Sequence, residues 1–327
     1  MKHKIASVVS SLIAVLLLTA HSSQAQQPTK TPHIGVIHLG GVLGTVADGL
    51  RAGLKELGLE DGKQIVLDVR DLKGDAKGAE SVVQKFERDQ VKLIFTNTAP
   101  VTTAAMKATK NLPIVFAVGT DPVAQGFIQS FARPAGRLTG VQYLARDLTG
   151  KRLELLKEFL PKLRQIVTFY DPSNQTSMEG AKLGREEAQR FNLKFAEQHV
   201  SLPAELSAAL AAIKPRQYDA YLYIADAMVV SQAQLIIDSA LAKKLPTMFH
   251  DQALVARGAL ASYGQSYFEI GRRSAKYVQK VLAGTAPAEL RVETVEDVEL
   301  AFNLKTAKEL GITIPPNVLT RAAKVVR

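Results

Sequence analysis

Short runs of apolar and β-branched residues alternate with amphipathic stretches along most of the chain. In the first half the runs fall at 34–39, 65–69, 92–95 and 114–118; in the second they fall at 166–170, 194–200, 220–224 and 247–249. Helical spacing fills the intervals, as at 46–57 and 79–88. The runs are apolar throughout rather than at every second position, so both faces of each strand are expected to be covered. Strands of that kind separated by amphipathic helices predict an α/β fold with parallel sheets. The stretch 267–282 shows the helical period most fully, with Phe268, Gly271, Ala275, Val278 and Leu282 at three- and four-residue steps. Arg272, Arg273, Lys276 and Lys280 occupy its other faces, Gly284 stands where a C-cap ends it, and Pro287 follows. The remaining 298–327 reads as a strand, a short helix at 305–310 and a tail broken by Pro315-Pro316.

The chain also repeats itself. Lys110-Asn-Leu-Pro-Ile-Val-Phe116 returns as Lys243-Lys-Leu-Pro-Thr-Met-Phe249, each followed by an aspartate, Asp121 and Asp251. Each copy then leads through a glycine-containing loop into an extended segment ending in tyrosine, Leu138–Tyr143 and 259–263. A period of about 130 residues is too long for a solenoid and indicates two duplicated lobes. The expected division is lobe 1 at 33–140 with 265–295, and lobe 2 at 144–262. The C-terminal segment 296–327 is assigned to neither. A cleft between two such lobes is suited to enclosing a small ligand.

Residues 1–25 read as a targeting signal: Lys2 and Lys4, a mostly apolar stretch to Ala20, and the small-residue cleavage pattern Ser23-Gln-Ala25. Cleavage near Ala25 and a periplasmic location are expected. The 327 residues carry 41 Lys+Arg against 31 Asp+Glu; without Lys2 and Lys4 the net charge falls from +10 to +8. These charges are interspersed, with no basic run interleaved with aromatics, so no nucleic-acid partner is expected. There is no cysteine, and roughly 300 residues are enough to build two cores without disulfides.

Three segments carry a resemblance to a known family. Leu57-Gly-Leu-Glu-Asp-Gly-Lys-Gln-Ile65, Pro113-Ile-Val-Phe-Ala-Val-Gly-Thr-Asp-Pro122 and Phe302-Asn-Leu-Lys-Thr-Ala-Lys-Glu-Leu-Gly-Ile-Thr-Ile-Pro-Pro316 lie in consistent order along the chain. They resemble the ABC-transporter substrate-binding proteins of the tryptophan/tyrosine-uptake type. That resemblance implies a type I periplasmic binding protein fold, with two Rossmann-like lobes, parallel sheets and a multi-strand hinge. It also implies a receptor that closes on a small solute, in its characterised relatives an aromatic amino acid, and delivers it to a membrane permease with its ATPase. The chain departs from the family at the strand ends. Ala225-Asp226-Ala227 stands for Thr-Asp-Asn and His250-Asp251-Gln252-Ala253 for Gly-Asp-Glu-Gly, so each keeps only its aspartate.

Ligands of parallel α/β sheets bind beyond the carboxyl ends of the strands. That rule selects 38–45, 97–102 and 119–121 in one lobe, and 171–176, 225–228 and 250–252 in the other. An α-amino acid needs donors for its carboxylate and acceptors for its ammonium. Asn97-Thr98-Ala99-Pro100-Val-Thr102 reads as a helix start whose amides and Thr98 and Thr102 hydroxyls suit a carboxylate. Capping of that helix is expected of these residues in any case. Asp226 and Asp251 are the expected ammonium acceptors. Asp121 is a further candidate contact, although it and Asp171 each precede proline and suit a turn or cap. Tyr143 and Tyr263 end the exit strands and pack either on the ligand or on the hinge.

Other classes fare less well. Gly40-Gly41-x-x-Gly44 follows the first strand and Asp68 lies further on, but Leu39 occupies the first glycine position of a dinucleotide fingerprint. No G-x-S-x-G, H-E-x-x-H or phosphate-loop sequence occurs, and His33, His38, His199 and His250 lack metal-ligand spacing. The expectation is a monomeric, non-enzymatic receptor for a small-molecule ligand, with no cofactor and no metal. A receptor feeding a membrane sensor and, less favoured, an exported α/β enzyme remain the alternatives.

Overall fold

The computed structural model describes residues 31–327; the expected targeting segment lies outside them. In chain order the strands are β1 (His33–His38), β2 (Val66–Asp71), β3 (Leu93–Asn97), β4 (Ile114–Val118), β5 (Leu138–Tyr143), β6 (Gln165–Tyr170) and β7 (Lys194–His199). There follow β8 (Ala220–Leu222), β9 (Thr247–Phe249), β10 (Ala261–Gly264), β11 (Glu293–Val295), β12 (Glu299–Asn303) and β13 (Lys324–Val326). They form two sheets, ordered β11-β5-β4-β3-β1-β2 and β13-β12-β10-β9-β8-β6-β7. The first is parallel throughout. The second departs from the all-parallel expectation at one pair, β10 with β12, which is antiparallel.

That exception follows from how the chain crosses between sheets. It passes from β5 into the Thr149–Phe159 helix, from β10 into the Tyr267–Leu282 helix, and from β11 directly into β12. A strand that leaves its sheet at its carboxyl end and one that enters at the same end must run in opposite directions. β10 leaves and β12 enters through neighbouring crossings, so the pair is antiparallel. Residues 298–327, for which the sequence named no lobe, thereby contribute β12 and β13 to the second sheet.

Central strands are buried on both faces, as their apolar runs require: every residue of β3 and β4 is buried, whereas the edge strands β2 and β7 are only half-buried. The Tyr267–Leu282 helix lies against the Thr45–Glu56 helix at very short range. A side chain at Gly49 would overlap the Phe268 carbonyl, and one at Gly271 would overlap the Val46 carbonyl. Its end is a Schellman motif: Thr285 N–H donates to the Lys280 carbonyl and Gly284 N–H to that of Val281, with Gly284 left-handed at φ 96°. The cationic face expected on this helix is paired at the surface, Arg272 with Glu269 and Glu56, and Arg273 with Asp297. Among the described residues no helix is long and apolar enough to cross a membrane.

Candidate ligand site between the lobes

The carboxyl ends of the central strands of both sheets converge on one cavity. On the first lobe β3 delivers Asn97 and Thr98 to the start of the Ala99–Ala108 helix. Thr98 adopts φ 81°, ψ 151°, a region that a β-branched residue enters at a cost of roughly 1–3 kcal/mol. It is held there because its N–H donates to the Ala117 carbonyl (2.9 Å) while its own carbonyl accepts from Thr102 N–H (3.1 Å). The expected capping role does not materialise, since the Thr98 side chain makes no cap hydrogen bond. Its buried hydroxyl has no partner, and the residue lines the cavity. The other fixed wall is β4's end, where Gly119 is required: a Cβ there would stand 2.5 Å from Ala145 Cβ and 2.6 Å from the Tyr143 ring.

The second lobe contributes Asp226, which also lines the cavity. Its carboxylate caps the Ala227–Ser231 helix by accepting from Val229 N–H (2.9 Å), and it accepts from Asp171 N–H (2.9 Å) and the Ser177 hydroxyl (2.7 Å). Burial pushes its pKa up, and the three donors pull against that rise. Three acceptor bonds leave a carboxylate one free lone-pair direction. Asn174 and Thr176, at the start of the Gln175–Arg190 helix, line the cavity beside it.

Three rings complete the lining: Tyr143, Tyr223 and Tyr267. Tyr143 and Tyr267 meet edge-on with centroids 5.7 Å apart. Behind them His250 stacks on Tyr223 at 4.2 Å and meets Tyr267 edge-on at 5.0 Å, with neither ring nitrogen hydrogen-bonded. Burial first, and the Arg152 charge second, hold its pKa well below the usual histidine value.

Of the six candidates from sequence, Thr98, Tyr143 and Asp226 come together at this cavity. Three do not line it. Thr102 is turned inward, donating to the Thr98 carbonyl (2.8 Å) and bonded to the Thr96 hydroxyl (2.9 Å). Asp121 closes a turn by accepting from Val123 and Ala124 N–H, which leaves Gly119 and Thr120 at the lining. Asp251 is buried and accepts from Ala253 N–H (2.7 Å) and Tyr267 N–H (2.7 Å), so it fixes the start of the Tyr267–Leu282 helix. Tyr263 lies off the lining as well. Sequence reasoning missed Tyr223 and Tyr267. Tyr223 could have been found from its place at the end of an apolar run, three residues before Asp226.

The inner cavity measures about 40 Å³ and shares Ala99, Pro100, Asn174, Thr176, Asp226 and Ala227 with an outer groove of about 690 Å³. Residues 74–77 of the first lobe and 201–203 of the second face that groove. The lobes touch at its edge. Gly41, at φ 59°, lies so close to the Ser231 carbonyl that a Cβ would overlap it, and Gly74 abuts the Ser231 hydroxyl.

Comparison with known proteins bears on this arrangement. The profile of the family described as ABC transporter substrate binding protein matches residues 35–326. The chain belongs to this family. A tyrosine-binding protein of Clostridioides difficile (strain R20291) is 29% identical over 265 residues, which span 81% of this chain and 76% of that protein. A crystal structure of an ABC domain in complex with L-Trp from Streptococcus pneumonia has 26% identity and a TM-score of 0.80, covering 91% of this chain and 100% of that one. A ligand-free, open structure of a substrate-binding protein with adhesive properties from Clostridium difficile has 27% identity, covering 90% and 99%, but a TM-score of 0.61. This family member stands nearer the L-Trp complex than the open form. Its fold is that of type I periplasmic binding proteins.

Proposed function

We propose that the chain is the periplasmic substrate-binding component of an ABC importer and that it captures an aromatic amino acid between its lobes. The observation that carries this reading is the inner cavity itself. Three tyrosines surround it, with the unpartnered Thr98 hydroxyl contributed by one lobe and the Asp226 carboxylate by the other. Aromatic walls suit a planar side chain, Asp226 suits an ammonium, and the start of the Ala99–Ala108 helix with Thr98 suits a carboxylate. An interior of about 40 Å³ is too small to hold such a molecule, because ligand sites usually span roughly 300–1,000 Å³, so the walls must move apart to seat it as well as to admit it. The lobes therefore part to admit it and close on contacts that only the closed form offers. The three crossings serve as the hinge. The leader is removed near Ala25, the protein acts as a monomer in the periplasm, and the closed form is read by a permease with its ATPase.

A thermal-shift screen of refolded protein, freed of co-purified solute, tests the reading against all amino acids and small carboxylates. A ligand at one hundred times its Kd adds about 2.7 kcal/mol of stability. For lobes of 150–250 residues that is several degrees, at roughly 2–4 °C per kcal/mol. L-tyrosine, L-tryptophan or L-phenylalanine should give the largest shifts. No shift with any of them contradicts the aromatic ligand.

A further inference from the structure

Beneath the Tyr223 wall lies a charge that neither the aromatic rings nor Thr98 explains. Arg152, in the Thr149–Phe159 helix, is 1% exposed. Its guanidinium donates through Nε to the Tyr263 carbonyl (2.8 Å) and through Nη1 to the Ala145 carbonyl (3.1 Å), and it sits 5.6 Å above the Tyr223 ring. Among the described residues no Asp or Glu pairs with it. A buried cation without a counter-ion is expensive and ordinarily has one. Asp226, which lines the cavity, is likewise buried without a cation, its partners being two amides and a hydroxyl. Tyr223 feels both: burial raises its pKa most, Arg152 pulls it back and Asp226 pushes it further up. Arg152 thus stands over one ring of the cavity wall, and Asp226 lines the same cavity.

We infer that Arg152 and Asp226 are the two electrostatic poles of the ligand site, and that Arg152 makes a free carboxylate on the ligand a condition of tight binding. Arg152 does not line the cavity. It is a positioning residue that acts through Tyr223 and through the Ala145 carbonyl, which it fixes at the cavity wall. A zwitterion is the ligand class that matches both poles, its ammonium toward Asp226 and its carboxylate at the Thr98 helix start, where Tyr143 and Ala145 also line the cavity. The same guanidinium also ties two crossing segments together, so loss of charge and loss of a hinge clasp must be told apart. The inference deepens the amino-acid reading and rests on it.

Calorimetric titration with matched acid and amide pairs separates these roles. L-tyrosine with L-tyrosinamide and L-leucine with L-leucinamide are titrated into the refolded protein, Arg152→Gln and Arg152→Lys. The protein should prefer each acid it binds over its amide by about tenfold or more. Arg152→Gln should erase that preference by weakening the acid while leaving the amide within about twofold, and Arg152→Lys should retain most of it. A clasp alone predicts equal losses for acid and amide in both variants, and that result overturns the inference. So does equal binding of acid and amide by the unmodified protein, a readout that needs no variant to fold. Binding confined to the leucine pair with the acid preference intact removes the aromatic ligand but keeps Arg152 in its role. If no member of either pair binds, both readings fall.

Discussion

The two lobes meet the same cavity with opposite means. The first offers neutral groups held in a costly conformation: the left-handed Thr98, its unpartnered hydroxyl and a helix start. The second offers the buried Asp226, backed behind the cavity wall by Arg152 and His250; hydrogen bonds hold Asp226 and Arg152, and ring contacts hold His250. Strain can be relieved by a small residue, whereas a buried charge must keep its partners. The two halves of the site should therefore fail differently when altered.

Removal of a second-lobe anchor should have the largest effect. Asp226→Ala strands the amides of Asp171 and Val229 and the hydroxyl of Ser177 in the interior. A loss of roughly 2–4 kcal/mol in denaturant unfolding is expected, with ligand binding abolished in titration. Unchanged stability would mean that the carboxylate is dispensable to the lobe. Next comes the contact that joins the lobes. Gly41→Ala places a methyl against the Ser231 carbonyl only when the lobes are together, so it should favour the open form. Binding should weaken by about tenfold or more, beyond a loss of roughly 1–2 kcal/mol in the ligand-free protein from the left-handed backbone at this position.

The buried histidine gives a smaller, pH-dependent effect. His250, facing Arg152, Tyr223 and Tyr267, stays neutral in the fold, whereas the unfolded chain takes up a proton below its ordinary value of 6.5. The unfolded state then binds more protons, so stability should decline as pH falls from about 7 to 5. His250→Phe should flatten that slope, and what remains should reflect His38, whose pKa burial also lowers. An unaltered slope would place the titration elsewhere. Smallest of all, Thr98→Gly should relieve the strained backbone and stabilise the protein by about 1 kcal/mol while weakening binding severalfold. A loss of stability would show that the Thr98 methyl packs more favourably than its conformation costs.

The periodicity of the sequence was enough for the α/β class, since the apolar runs at 34–39 and 114–118 report strands buried on both faces and the 267–282 stripe reports one helix face. The site was legible only in part. Asp226 and Thr98 were reachable because the strand-end rule places loops without knowing their contacts. Asp251 looked equivalent to Asp226 in sequence. The difference is one of partners: the Tyr267 amide, sixteen residues on, turns Asp251 away from the ligand side. Nor does spacing signal Arg152, which lies among Lys151, Glu154 and Lys157. Its burial depends on carbonyls of two crossings that come together only in three dimensions.

The direct test of the account is the distance across the cleft. The chain has no cysteine, so Lys77→Cys and Leu202→Cys can be spin-labelled without interference; both positions are exposed and line the outer groove from opposite lobes. Pulsed dipolar spectroscopy should show a longer, broader separation in the stripped protein and a shorter, narrower one with saturating L-tyrosine or L-tryptophan. A distribution that does not change when the ligand is bound would contradict capture by closure of the lobes.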